Sequence, residues 1–314
     1  MDISYLLFLQ DFRNSIADAW TPFLEGASKF SVTYLLLIPV FIYWCINKKS
    51  GLFTLAAFNL STAINSVLKL TVCAYRPWIR DVRVLPAGDA IKSATGYSFP
   101  SGHTATATPI YGGMAVGFWQ KKSTKWLAVL CIFGILITGF SRNYLGVHTP
   151  QDVLVAILEG VFSLWVMWKI FAYLEKHPEK ENYFLLGGII CCILALLYIT
   201  FKSYPLDYVD GKLLVDPNKM IKDGYKGIGS LFSFCVARYL ERRWVGFKVT
   251  GWTFKGILMA LIGLVIIGLM LTYLRKPVES LVGVNWGRFI TQGIIILFAV
   301  ALWPWVLKLT HSEK

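Results

Sequence analysis

The stretch Ser141-Arg-Asn-Tyr-Leu-Gly-Val-His-Thr-Pro-Gln-Asp152 lies where one apolar run ends and the next begins, and reading it as the connection between two membrane helices decides the fold. Residues 125–141 before it and 150–174 after it are predominantly apolar, each long enough for a bilayer-crossing helix. The connection carries a cation at Arg142, an imidazole at His148 and a carboxylate at Asp152. Thr149, Pro150 and Asp152 fit a capping box, with Thr149 as N-cap, proline at the first helical position and the acid at the third. That task is compatible with a second one. A carboxylate beside His148 can accept the ring N–H and leave the other nitrogen's lone pair aimed outward as a nucleophile.

The rest of the chain extends the membrane reading. Of its 314 residues, 56% are hydrophobic and 16% charged, and mean hydropathy is +0.57, well above a soluble domain. Nine spans are predicted near residues 31–47, 51–70, 104–120, 125–141, 150–174, 183–201, 227–241, 254–274 and 288–309, the seventh short and interrupted by Gly227, Gly229 and Arg238. Residues 3–24 alternate apolar and polar groups and are expected to form one amphipathic helix lying in the interface. The expected fold is therefore an all-α polytopic transmembrane bundle of about nine spans with an N-terminal interfacial helix. No basic n-region or cleavage site marks a removable signal peptide.

The net charge is +13, yet the 31 Lys and Arg cluster between apolar runs, which suits anionic headgroups; no nucleic-acid motif accompanies them. Lys48, Lys49, Lys121, Lys122, Lys125, Lys176 and Lys180 fall in short loops on one face, which the positive-inside rule makes cytoplasmic. Loops 70–103 and 142–149 then share the opposite face. The six cysteines lie in or beside apolar segments without C-x-x-C spacing, so packing is their expected role, with neither disulfides nor zinc. The polar loop at 202–226, with Asp207, Asp210, Asp216, Asp223 and five lysines, is expected to be solvated.

Two further segments bring chemistry to the face of the opening stretch. Lys69 and Arg76 are seven residues apart, two helical turns, so both can project from one side of a helix end. In Pro100-Ser101-Gly102-His103, glycine lets backbone approach a ligand, and the first amides of the following helix are free donors suited to a phosphate oxygen. Lys69, Arg76, Arg142 and the amides around Ser101, Gly102 and His103 together offset the charge that phosphoryl transfer develops on three nonbridging oxygens, with no metal or other cofactor required. One histidine must be neutral to attack and the other protonated to serve the leaving oxygen.

Lys-x6-Arg-Pro, Pro-Ser-Gly-His and Ser-Arg-x5-His-x3-Asp, in this order, resemble the tripartite signature of the type 2 phosphatidic acid phosphatase superfamily. The resemblance covers roughly residues 31–174. It implies His148 as the nucleophile that forms a phosphohistidine, Asp152 as its orienting partner, and His103 as the acid for the leaving group and then the base for water. Lys69, Arg76, Ser101, Gly102 and Arg142 would hold the phosphate. The nine-span layout is also similar to the glucose-6-phosphatase branch, which keeps a sugar phosphate open as a substrate.

These readings converge on a metal-independent phosphatase of the plasma membrane, its site on the non-cytoplasmic face, acting on a phosphorylated lipid. A phosphotransferase that passes the phosphoryl group to an acceptor hydroxyl is the nearest alternative, and a non-catalytic transporter a remote one. Residues 1–30 are assigned to the N-terminal helix, 31–174 to the catalytic core and 175–314 to a C-terminal transmembrane extension. The loop from Trp78 to Ser98 is the candidate for substrate selection.

Overall fold

The computed structural model describes residues 2–209 and 211–311, and Asp210 of the polar loop lies outside them. The helix expected over 3–24 is two: α1 (Asp2–Ser15) and α2 (Thr21–Thr33). Between them Ala17 and Asp18 adopt positive φ, which interrupts right-handed helix geometry. Then follow α3 (Leu37–Phe41) with a π-helical turn at Ile42–Ile46, α4 (Lys48–Val72), α5 (Pro77–Arg80) and α6 (Ala90–Ser93). The long helices α7 (Gly102–Trp119), α8 (Lys125–Tyr144), α9 (Pro150–Lys176) and α10 (Glu181–Phe201) come next. A two-residue antiparallel pair, β1 (Tyr208–Val209) and β2 (Lys212–Leu213), precedes α11 (Pro217–Leu240), α12 (Phe254–Tyr273), α13 (Arg275–Val282), α14 (Val284–Leu297) and α15 (Trp303–His311).

Among the described residues, six helical segments are long and apolar enough to cross a membrane, seven if the α2–α3 pair, bent by 41°, counts as one. The expected nine is therefore not reached on composition. The two missing spans are α7 and α11, and both run through the middle of the bundle: α7 packs on α4, α8 and α9, and α11 on α4, α10 and α14. A helix surrounded by protein need not be apolar all round, so glycine, threonine and charged residues are tolerated there. The weak seventh span is an unbroken helix of 24 residues that begins ten residues earlier than expected. Its glycines are contact points rather than interruptions. A Cβ at Gly224 would meet Leu70 at 2.6 Å, one at Gly227 would overlap Ser66, and one at Gly229 would meet Phe289 at 2.7 Å.

Backbone groups freed inside the bundle find side-chain partners, as an apolar surround demands. Pro109 in α7 has no N–H to give the carbonyl of Ala105, and the hydroxyl of Ser61 on α4 donates to that oxygen at 2.9 Å. The π-helical turn Phe298–Leu302 similarly leaves carbonyls open. Trp44 Nε1 donates to Ala299 O at 2.8 Å and Tyr43 Oη to Val300 O at 3.1 Å, tying the third helix to the last. All six cysteines are free, five buried and Cys191 exposed, in keeping with packing roles.

Candidate active site

The end of the bundle where α4 finishes and α7 and α9 start holds a cavity of 310 Å³. Lys69, Arg76, Gly102, His103 and His148 all line it, so the three sequence segments converge. Ser101, Arg142 and Asp152 are buried just behind this lining.

Each element places its residue for a local reason. Ser101 caps α7, its hydroxyl accepting from Thr104 N–H at 3.5 Å, and its own N–H donates to Asp152 O at 2.9 Å, so the starts of α7 and α9 are stitched together. A Cβ on Gly102 would come no nearer than 3.9 Å to Asn65 Oδ1. The capping box of α9 forms as expected: Thr149 Oγ1 accepts from Asp152 N–H at 3.4 Å, and the Asp152 carboxylate accepts from Thr149 N–H at 2.8 Å. The same carboxylate oxygen lies 3.3 Å from His148 Nδ1 and accepts the hydroxyl of Ser98 at 2.5 Å.

This network assigns the imidazole tautomer. Arg76 Nη1, a donor only, stands 2.9 Å from His148 Nε2, so Nε2 must accept and Nδ1 carries the hydrogen toward Asp152. Burial, together with the cations Arg76, Arg142 and Lys69, holds the His148 imidazole well below its ordinary range, hence neutral. An oxyanion in the cavity would be a stronger acceptor for Arg76 than the Nε2 lone pair.

The cations are held by backbone. Lys69 Nζ donates to the carbonyls of Tyr97, Ser98 and Pro100 at 3.2, 3.3 and 2.6 Å. Arg76 donates to the carbonyls of Gly96, Val147 and Thr95, each at 3.0 Å. Arg142 donates to Ser28 Oγ at 2.9 Å, while its buried Nε and Nη2 have no hydrogen-bond partner among the described residues. Open N–H groups on a buried guanidinium are costly while unpaired and match the geometry of an oxyanion. No three His, Cys, Asp or Glu among the described residues converge as metal ligands.

Sequence reasoning missed part of this site. Thr62, Asn65 and Ser66 also line the cavity, and with Lys69 they form a polar stripe at spacings of three, four and seven along α4 that the sequence already displayed. Asn65 Nδ2 donates in turn to the buried Glu159 at 3.1 Å. Ser98 had no signal. From the supposed solvated loop, Asp223 and Lys226 lie on α11 and line the cavity, correcting that expectation: the helix packs its glycines on α4 and carries its charges with it.

Two histidines and a ring of cations opening on one cavity, at the end of a membrane helix bundle, define the class of integral membrane phosphatases. Comparison with known proteins gives the family. Residues 50–176 match the PAP2 superfamily and residues 225–314 the PAP2 superfamily phosphatase, transmembrane extension. Phosphatidylglycerophosphatase B of Bacillus subtilis is 30% identical over 166 residues, 51% of this chain and 73% of that protein. Phosphatidylglycerophosphatase B of Escherichia coli is 42% identical over 93 residues, 28% of this chain and 35% of that protein. Undecaprenyl-diphosphatase of Sulfolobus acidocaldarius is 30% identical over 150 residues, 48% of this chain and 65% of that protein. No solved structure matches significantly. The chain belongs to the PAP2 superfamily.

Proposed function

We propose that this protein is a membrane lipid phosphatase in which His148 is the nucleophile, Asp152 orients it, and His103 moves the proton. The observation that carries the reading is the state of His148: neutral, with Nδ1–H directed to Asp152 and Nε2 turned to Arg76 at the cavity. The Nε2 lone pair attacks phosphorus, and the bond from phosphorus to the lipid oxygen breaks. That oxygen keeps the electron pair and takes a proton from His103, whose imidazolium form is favoured once a phosphate dianion offsets the neighbouring cations. The phosphohistidine formed keeps Nδ1–H on Asp152. Neutral His103 then takes a proton from water as the water oxygen attacks phosphorus; the phosphorus–nitrogen bond breaks, its pair returns to Nε2, and inorganic phosphate leaves. Lys69, Arg76, Arg142 and the amides following Ser101 offset charge on the nonbridging oxygens.

The cavity lies at the end of the bundle opposite Lys48, Lys49, Lys121, Lys122, Lys125, Lys176 and Lys180. Their positions support a plasma-membrane protein with its site on the non-cytoplasmic face. Residues 31–174 contain every proposed catalytic side chain and form the core, flanked by the N-terminal helices and the extension from 175. Phosphatidic acid, phosphatidylglycerol phosphate and a polyprenyl diphosphate are the substrates to assay, the last two echoed in the names of the relatives. Phosphate release by the purified full chain in detergent, with EDTA present, tests the proposal. His148→Ala is expected to lose at least about a thousandfold in kcat, and full activity in that variant would remove the nucleophile.

A further inference from the structure

One cation at the cavity has no task in the mechanism above. Lys226 lines the cavity from α11, the side facing α4, and is exposed there. Among the described residues it makes no hydrogen bond or ion pair. Asp223, one turn earlier, also lines the cavity and is engaged, loosely, by Arg288 at 4.0 Å. Lys69, Arg76 and Arg142 already suffice for the three oxygens of one phosphate, so a fourth, separate cation calls for a second anionic group.

Its depth says which group. Gly227, adjacent to Lys226, packs on Ser66 and the carbonyl of Thr62, whereas Gly224 packs on Leu70. Ser66 precedes Lys69 by three residues on α4, so Lys226 stands about a helical turn, roughly 4.5 Å, further into the bundle than the cations of the reacting phosphate. In a lipid with two phosphates the one that leaves is farthest from the tail, and the one retained lies tail-side, hence deeper. We infer that Lys226 binds the retained, tail-proximal phosphate, so that the C-terminal extension selects lipids carrying two phosphate groups. This rests on the lipid phosphatase reading above.

The two arms of the test share one tail: a prenyl diphosphate and the prenyl monophosphate of the same chain length, each assayed with wild type, Lys226→Met and Lys226→Arg. Wild type prefers the diphosphate. In Lys226→Met the ratio of kcat/KM for diphosphate over monophosphate falls about tenfold or more, mainly through KM, the effect of one lost charge-assisted contact. Lys226→Arg restores most of the ratio. An unchanged ratio in Lys226→Met, or a ratio lost equally in Lys226→Arg, overturns the assignment. A wild type that hydrolyses neither prenyl lipid but does hydrolyse phosphatidic acid or phosphatidylglycerol phosphate overturns the Lys226 inference alone, and one that hydrolyses none of the four removes the lipid phosphatase reading as well. A wild type active on both, with a ratio indifferent to residue 226, sinks the inference alone.

Discussion

Both ends of the bundle are rich in cations, and they differ in what sits beside the charge. At the end away from the cavity the cations packed around α11 and the start of α4 have carboxylates. Lys48 pairs with Glu241 at 2.6 Å, Arg238 with Glu181 at 2.6 Å and also with Glu241, Arg242 with Glu181 at 3.4 Å, and Lys49 with Glu175. At the cavity end Lys69 and Arg76 rest on backbone carbonyls, and Arg142 keeps two buried N–H groups open. The carboxylates nearby are committed elsewhere: Asp152 to Thr149, Ser98 and His148, and Glu159 to Asn65 and Ser61. Carbonyl dipoles position a cation without cancelling its charge, whereas a carboxylate neutralises it. Counting lysines and arginines therefore finds both ends, and what separates them is that the buried cations of the cavity end lean on carbonyls where those around Glu241 and Glu181 lean on carboxylates.

The contrast can be broken at either end. The largest effect is expected from Asp152→Asn, which can still cap α9 but cannot hold the Nδ1–H tautomer. Turnover should fall by about ten-thousandfold with the helix content unchanged in circular dichroism. Glu241→Gln at the far end leaves Lys48 and Arg238 short of a buried partner and should cost about 3–5 kcal/mol in thermal or denaturant unfolding. Its kcat per folded molecule should stay at wild type; a loss of activity without a loss of stability would erase the distinction between the ends. Arg142→Gln should do the reverse, lowering kcat/KM by about a hundredfold to a thousandfold with little change in melting temperature.

A pH titration sharpens the picture further. His148 is held neutral in the fold, while in the unfolded chain it takes a proton near pH 6.5. Below that pH the unfolded state binds more protons, so stability falls as pH falls, by up to roughly 1.4 kcal/mol per pH unit from this group. Unfolding measured at pH 7.5 and pH 5.5 should show this component in wild type and lack it in His148→Gln. The smallest effect is expected from Glu175→Gln. Its pairing with the exposed Lys49 is worth less than about 1 kcal/mol, and its removal should be barely visible in unfolding curves.

The residues proposed as catalytic were legible because each stands at a helix end where an apolar run stops, and because Thr149 to Asp152 spells a cap whatever else it does. The polar stripe from Thr62 to Lys69 was equally legible and went unread, its members being unremarkable one at a time. Ser98 was not legible: it reaches Asp152 only after Lys69 and Arg76 have gathered the carbonyls of residues 95–100. The membrane spans divided on the same physics. Lipid-facing helices such as α10 and α12 declare themselves by apolarity, whereas α7 and α11 are shielded by neighbours and their sequences are free to carry the site. Lys226 looked like part of a solvated loop because nothing local reveals that Gly224 and Gly227 press that segment onto α4.

On the proposed mechanism, the double use of Asp152 links folding to turnover at one atom pair. Because a single carboxylate both starts α9 and holds the imidazole, fraying of that first helical turn would disarm the proposed nucleophile at once. Any influence that loosens the junction, whether a thinner bilayer, a crowded lipid or heat, would be felt as idle enzyme well before the bundle comes apart.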